Sequence, residues 1–331
     1  MQCVVGIDVA ARSFDLTVRK GGKSQKAQTY EQTSKGHRQA VKRLRALQPT
    51  RIVMEATGVY YLDLAMALHE AGLPVCVINP RSFRHFADIK LSTSKTDAID
   101  SALLAEYAER MEPARWSPPP SLHLELRDLG RQINRLVHAR TQAKNRLHAL
   151  GAKKSTPRLV IEDEQEGIAH LDRRIDRLRQ AASEVIAQSA TLSEQFECLR
   201  AANGVGEASA VTILAELCVL PETLKASQVV CHAGLDVRLT QSGSSVNRPG
   251  RLSKAGNTYL RAALFMPAMV AIRHEPRAKA FFEALVARGK KRIQAVCAVM
   301  RKYLTGIWAC MKNRRRFDAS LLFSEKHAQT G

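Results

Sequence analysis

Near the start of the chain CVVGIDVA, a short run whose one polar residue is Asp8, reads as a strand, and SFDLTVRK, where apolar and polar residues alternate, reads as a second. The Gly21-Gly22 pair after the second predicts a hairpin turn into a third, SQKAQTYEQT. KGHRQAVKRLRAL switches to the helical period, RIVMEAT returns to a strand, and VYYLDLAMALHEAG is an amphipathic helix closed by Gly72. PVCVINP reads as a short buried strand, the segment after it as a polar loop, and TDAIDSALLAEYAERM as another helix. Three antiparallel strands followed by alternating helices and strands is the order of a ribonuclease-H-like α/β fold. A doubly wound nucleotide-binding fold competes, but the early hairpin and the missing GxGxxG disfavour it.

WSPPPS, residues 116–121, is a stiff boundary. Beyond it Leu122, Leu126, Leu129, Ile133, Leu136, Ala143, Leu147 and Leu150 fall at heptad spacing, and Ile168, Leu171, Ile175, Leu178, Ala182 and Val185 repeat the pattern. Two such helices joined by a polar loop predict an antiparallel coiled-coil arm, either a spacer or a self-association element. From about residue 196 the pattern is mostly helical. LRAANGVGEASAVTILAEL has the form of a helix-hairpin-helix, whose glycines let backbone N–H groups approach a phosphate; a tight corner between two helices has the same pattern. The expected domains are therefore 1–118, 119–192 and 193–331. Within the last lies LTQSGSSVNRPGRLSKAGN, residues 239–257, a serine- and glycine-rich loop between helical segments.

Charge changes the picture. Lys and Arg number 51 against 31 Asp and Glu in 331 residues, a formal net charge of +20, which favours a polyanionic partner: nucleic acid first, an anionic membrane surface second. Residues 1–120 carry a net +5, residues 121–200 +3 and residues 201–331 +12, so the serine loop lies in the most basic part. No apolar run approaches the ~20 residues of a spanning helix, and MQCVVGIDVAARSFD meets an acid too early for a signal peptide. Seven scattered cysteines without a CxxC pair suggest reduced, buried thiols in a cytoplasmic protein and no zinc site.

Four carboxylates stand out by placement. Asp8 lies in the first strand, Glu55 ends the fourth, and Asp97 and Asp100 share one face of a helix start. Neighbouring strands with a helix across them bring these acids together, and their repulsion is costly unless cations neutralise it. Two Mg²⁺ ions about 4 Å apart are the usual solution, acting on phosphodiester oxygens. Each acid also has a plainer reading. Asp97 or Thr96 serves as a helix N-cap, Asp100 suits the helix dipole, and Asp8 can be a solvent-edge residue. Asp15, Asp63 and Glu106 are expected on outer faces.

GIDVA, MEATGVY and KTDAIDSALLAEY, in that order, resemble the N-terminal domain of the Asp-Glu-Asp-Asp insertion-sequence transposases, a family that includes Piv-type invertases. CHAGLDVRLTQSGSSVNRPGRLSKAGNTYLRAALFMPAMVA resembles the family's C-terminal transposase domain. The resemblance implies a RuvC-like domain carrying the tetrad Asp8, Glu55, Asp97 and Asp100, and a catalytic serine at Ser242 that forms a covalent phosphoserine link to DNA. It also implies guidance by a structured non-coding bridge RNA pairing with donor and target DNA. The implied assembly is a tetramer, a dimer of dimers, whose site is shared between domains of different protomers. Chemistry by itself leaves Ser242, Ser244 and Ser245 open as nucleophile, and Ser253 suits a turn or cap. Arg248, Arg251, Lys254 and Arg261 are the expected phosphate contacts. The expected reaction is Mg²⁺-assisted transesterification without ATP, in the bacterial cytoplasm at the nucleoid. A Holliday-junction-resolvase-like nuclease, with water as nucleophile, and a non-catalytic nucleic-acid scaffold are the rivals.

Overall fold

The computed structural model describes residues 2–90, 96–242 and 246–323 and divides into two compact units, Met1–Pro118 and Pro119–Gly331.

In the first unit, β1 (Cys3–Val9) pairs antiparallel with β2 (Ser13–Lys20). Two short segments, β3 (Lys23–Ser24) and β4 (Gln28–Glu31), both pair with β2, so the expected third strand is interrupted. After α1 (Ser34–Leu47), β5 (Arg51–Glu55) lies parallel to β1. After α2 (Tyr61–Glu70), β6 (Val75–Ile78) lies parallel to β5. The order β3-β2-β1-β5-β6, antiparallel on one side of β1 and parallel on the other, is the ribonuclease-H-like sheet expected from the sequence.

The pleat sends alternate residues to opposite faces. Cys3, Val5 and Ile7 join Phe14, Leu16, Ile52 and Met54 beneath Ala40 and Leu44 of α1 and Leu64 and Leu68 of α2. Val4 and Val53 face the other way, against α3 (Pro80–Ile89) and α4 (Asp97–Met111). The helix α3 replaces the polar loop expected there. Asn79 accepts the N–H of Arg81 at 2.8 Å, Pro80 presets the first helical residue, and Phe83 and Phe86 bury one face. One turn of apolar residues among arginines and histidines was too sparse a period to register.

The second unit opens with α5 (Ser121–Gly151) and α6 (Arg158–Ala187), an antiparallel hairpin braced by Arg140–Asp172 at 2.6 Å and Arg146–Glu164 at 2.8 Å. Its base is part of the unit's core: Leu126, Ile133, Ile175 and Val185 are buried there. Around it pack α7 (Ala190–Arg200), the nearly all-buried α8 (Glu207–Leu217), α9 (Ala226–His232), α10 (Thr258–Ala263), α11 (Phe265–His274), α12 (Pro276–Ala287) and α13 (Arg292–Asn313). Between α7 and α8, Gly204 at φ +90° packs against the Pro267 carbonyl and Val270, while Gly206 caps α8. The serine-rich segment is not a plain loop: β7 (Val237–Ser242) and β8 (Val246–Leu252) pair antiparallel. Among the described residues no helix is long and apolar enough to cross a membrane.

Candidate functional site

Asp8 follows Val4 and Gly6 on the α4 face of β1, and Glu55 follows Val53 on the same face of β5. Ile7 aligns with Met54, so the two acids are neighbours across adjacent strands. α4 supplies the other two. Thr96 is its N-cap, its hydroxyl accepting the N–H of Ile99, so Asp97 is not spent on capping. Asp97 and Asp100 then stand in the first turn.

The helix is held unusually close to the sheet. A β-carbon on Gly6 would lie 2.2 Å from the Ala105 nitrogen and 2.2 Å from the Ser101 carbonyl oxygen, so only glycine permits this approach. Ser101 donates to the Ala98 carbonyl and accepts the Thr17 hydroxyl at 2.8 Å, and Arg19 Nε meets Glu109 at 2.7 Å. Gly6, Thr17 and Ser101 are therefore positioning residues that sequence reasoning missed. Their signals were a glycine inside a strand and a serine directly after Asp100.

The electrostatics follow from this geometry. Burial first, then the charges of Asp100, Asp97 and Glu55, push the Asp8 carboxyl from 3.8 up to about 6. The Glu55 carboxylate accepts the Thr57 hydroxyl. Asp15, expected on an outer face, stands directly opposite Asp8 in the β1–β2 register and so shares its face; the Thr29 hydroxyl donates to it at 2.5 Å. Among the described residues no three His, Cys, Asp or Glu side chains are arranged as a metal cage. The donor set nonetheless fits a hard divalent cation: it is all carboxylate, and Asp8 is held where its own charge is disfavoured until positive charge arrives. Asp63 lies on α2 near His37, and Glu106 is paired with Lys90 at 2.9 Å and Arg110 at 2.7 Å, both away from the tetrad.

In the second unit Ser242 ends β7, its backbone paired with Val246. Ser244 and Ser245 lie outside the described residues. Arg248 stands opposite Thr240 in the register. Arg251 stands opposite Arg238, both exposed, a like-charged cross-strand pair that an anion would relieve and that the sequence reading had not paired. Lys254 holds a left-handed φ of +52°. Arg261 packs over Gly234 and donates to the Ala233 carbonyl at 2.9 Å, so it braces the hairpin base. Ser253 donates to Asp236.

Beneath the hairpin lies a buried polar cluster. Glu216, 2 % exposed, accepts two bonds from Arg131 at 2.7 and 2.9 Å and one from Asn257, which also caps α10. His232 is held neutral-leaning by burial, against the pull of Glu216, and its carbonyl accepts the Asn257 N–H at 2.6 Å.

Comparison with known proteins adds the following. A family described as "Transposase" matches residues 5–150, and one described as "Transposase IS116/IS110/IS902 family" matches residues 196–283. The chain is 27% identical to the pilin gene-inverting protein of Moraxella bovis over 95% of its own length and 97% of the relative's. It is 21% identical to the insertion element IS110 uncharacterized 43.6 kDa protein of Streptomyces coelicolor, over 82% of this chain and 83% of the relative. A structure of RuvC from T. thermophilus with a Holliday junction substrate aligns at 17% identity and a TM-score of 0.28, covering 35% of this chain and 99% of that one.

Proposed function

The chain belongs to the IS116/IS110/IS902 transposase family of DNA recombinases, and on that premise we propose that it exchanges DNA strands by metal-assisted transesterification through a covalent link to Ser242. The observation that carries this reading is the four-carboxylate cluster, in which Asp8 is raised by burial and by Asp100, Asp97 and Glu55 together.

A serine hydroxyl is a poor nucleophile unless its proton is removed or its alkoxide stabilised. A hard divalent cation such as Mg²⁺ would be held by Asp8, Glu55, Asp97 and Asp100 and would supply Lewis-acid stabilisation of the scissile phosphate. The Ser242 oxygen bonds to phosphorus, a DNA ester bond breaks, and the serine proton ends on the departing strand's hydroxyl. Phosphodiester energy is kept in the phosphoserine, so a second DNA hydroxyl reverses the step without ATP. Arg248, Arg251 and Lys254 contact neighbouring phosphates. Acids and serine belong to separate compact units, and the family resemblance implies a site shared between domains of different protomers.

Donor and target DNA are the substrates, in the bacterial cytoplasm at the nucleoid. A structured bridge RNA is the further partner implied by the family resemblance, and the net +12 of residues 201–331 suits either polyanion. The α5–α6 hairpin serves as a coiled-coil association element in a tetramer.

The test is to incubate the full chain with DNA spanning an element end, Mg²⁺ and any co-purifying RNA, then seek a denaturant-resistant protein–DNA adduct. The adduct should vanish with Ser242→Ala and with Asp97→Asn, and survive Ser244→Ala and Ser245→Ala. An adduct that persists in Ser242→Ala sinks the serine assignment. Hydrolysed ends without an adduct identify a resolvase-like nuclease, and binding without cleavage identifies a scaffold.

A further inference from the structure

The rim of the acidic site carries an aromatic ring that the chemistry above does not use. Val59 is 66% exposed and Tyr60 49% exposed, in the turn directly after Glu55. Single exposed apolar side chains are ordinary. Two adjacent ones, fixed by specific contacts beside a charged site, require a reason.

The turn is tightly built. Thr57 donates its N–H to the Glu55 carbonyl at 2.9 Å and its hydroxyl to the Glu55 carboxylate. Gly58 takes φ +61°, a left-handed backbone that a side chain would resist. The reversal lays the Tyr60 ring over Gly58, where a β-carbon would sit 3.7 and 3.8 Å from ring atoms Cδ2 and Cε2. One edge of the ring thus lies beside Gly58, three residues after Glu55, and Tyr60 as a whole is about half exposed. The backbone of Tyr60 is also fixed: Gln32 Nε2 donates to its carbonyl at 2.6 Å, and Gln32 Oε1 accepts from His37 Nε2 at 2.9 Å. Tyr60 is the N-cap residue before α2 and makes no side-chain capping bond, so capping does not explain the ring.

We propose that Tyr60, with Val59 beside it, is a stacking platform for the DNA base next to the scissile phosphate. The proposal rests on the recombinase reading. A half-exposed ring accepts any base, because every base has a π face. It therefore holds the strand near the end of β5 without reading sequence. Val59 offers an apolar edge that a base tolerates and a phosphate avoids, so the base is directed to the ring. A protein partner on the same patch is the competing occupant.

The experiment uses the full chain in cells carrying the element with its natural flanks, scored by quantitative PCR of excised junctions. Tyr60→Phe should stay within about two-fold of the unaltered chain, and Tyr60→Ala should lose about ten-fold or more. In parallel, Tyr60→p-benzoylphenylalanine keeps an aromatic ring and reports contact directly. On irradiation its DNA cross-links should map within about two nucleotides of the exchange point, as expected of a base stacked on the ring. Normal excision with Tyr60→Ala, cross-links to protein alone, or cross-links far from the exchange point overturn the platform while leaving the recombinase reading intact. No excised junction from the unaltered chain overturns the recombinase reading, and the platform with it.

Discussion

Thr17 and Ser101 share a hydrogen bond of 2.8 Å, both side chains wholly buried, although 84 positions separate them along the chain. The bond ties β2 to the first turns of α4, one residue after Asp100, so the placement of half the acidic cluster depends on it. Ser101→Ala strands the Thr17 hydroxyl and Thr17→Val removes one bond to Ser101, which keeps its bond to the Ala98 carbonyl, whereas removing both leaves apolar contacts. Thr17→Val and Ser101→Ala should each cost about 1–2 kcal/mol, and the double variant less than their sum. Urea unfolding of the full chain in a double-mutant cycle measures this, and strict additivity would exclude the coupling.

Gly6→Ala should be more severe. The added methyl meets the α4 backbone at Ser101 and Ala105, which cannot rotate away. Overpacking of this kind costs about 1–3 kcal/mol and shifts the helix that carries Asp97 and Asp100. Recombination should fall well beyond what the stability loss explains, read by comparing excision with residual folded fraction.

Asp8 gives the first unit a pH dependence of definite sign. Its carboxyl is raised from 3.8 to about 6, so the folded chain favours the protonated form. That stabilising contribution is full below about pH 4 and is lost as pH rises through about 6. Because Asp8 is only partly buried, the effect at neutral pH is on the order of 1 kcal/mol after allowance for solvent screening. In metal-free buffer, thermal melts from pH 4 to 7 should show the decline. Asp8→Asn should flatten it, and millimolar Mg²⁺ should restore stability to the unaltered chain only.

The Arg131–Glu216 pair predicts an asymmetry in the second unit. Arg131→Ala leaves Glu216, 2 % exposed, without its cation beneath the serine hairpin, and should cost about 3 kcal/mol or more. Arg131→Met combined with Glu216→Leu should recover most of that loss in stability. It should not recover recombination, since Asn257 would lose its carboxylate acceptor at the hairpin base. Denaturant midpoints and excision assays on the same variants separate the two effects.

Much of the fold was legible because its signals are local. The apolar run of β1, the period-two alternation of β2, the helical period of α4, and the heptads of α5 and α6 are each contained in one segment, and the pattern of burial dictates the element. The order of those elements then leaves few ways to build a sheet, and the ribonuclease-H-like strand order followed. α3 escaped because ten residues with two buried phenylalanines give barely one helical repeat. The β7–β8 hairpin escaped because serine and glycine chemistry masked its alternation.

By itself, the sequence determined which acids belong to strand ends and a helix start, and where positive charge accumulates. Only the tertiary structure decided how closely those acids approach. That distance depends on a missing β-carbon at Gly6, on the Thr17–Ser101 bond, and on the parallel β1–β5 register that sets Asp8 beside Glu55. Each joins segments far apart in the chain, and the energy that selects them comes from packing and burial between elements, which no local pattern of residues records.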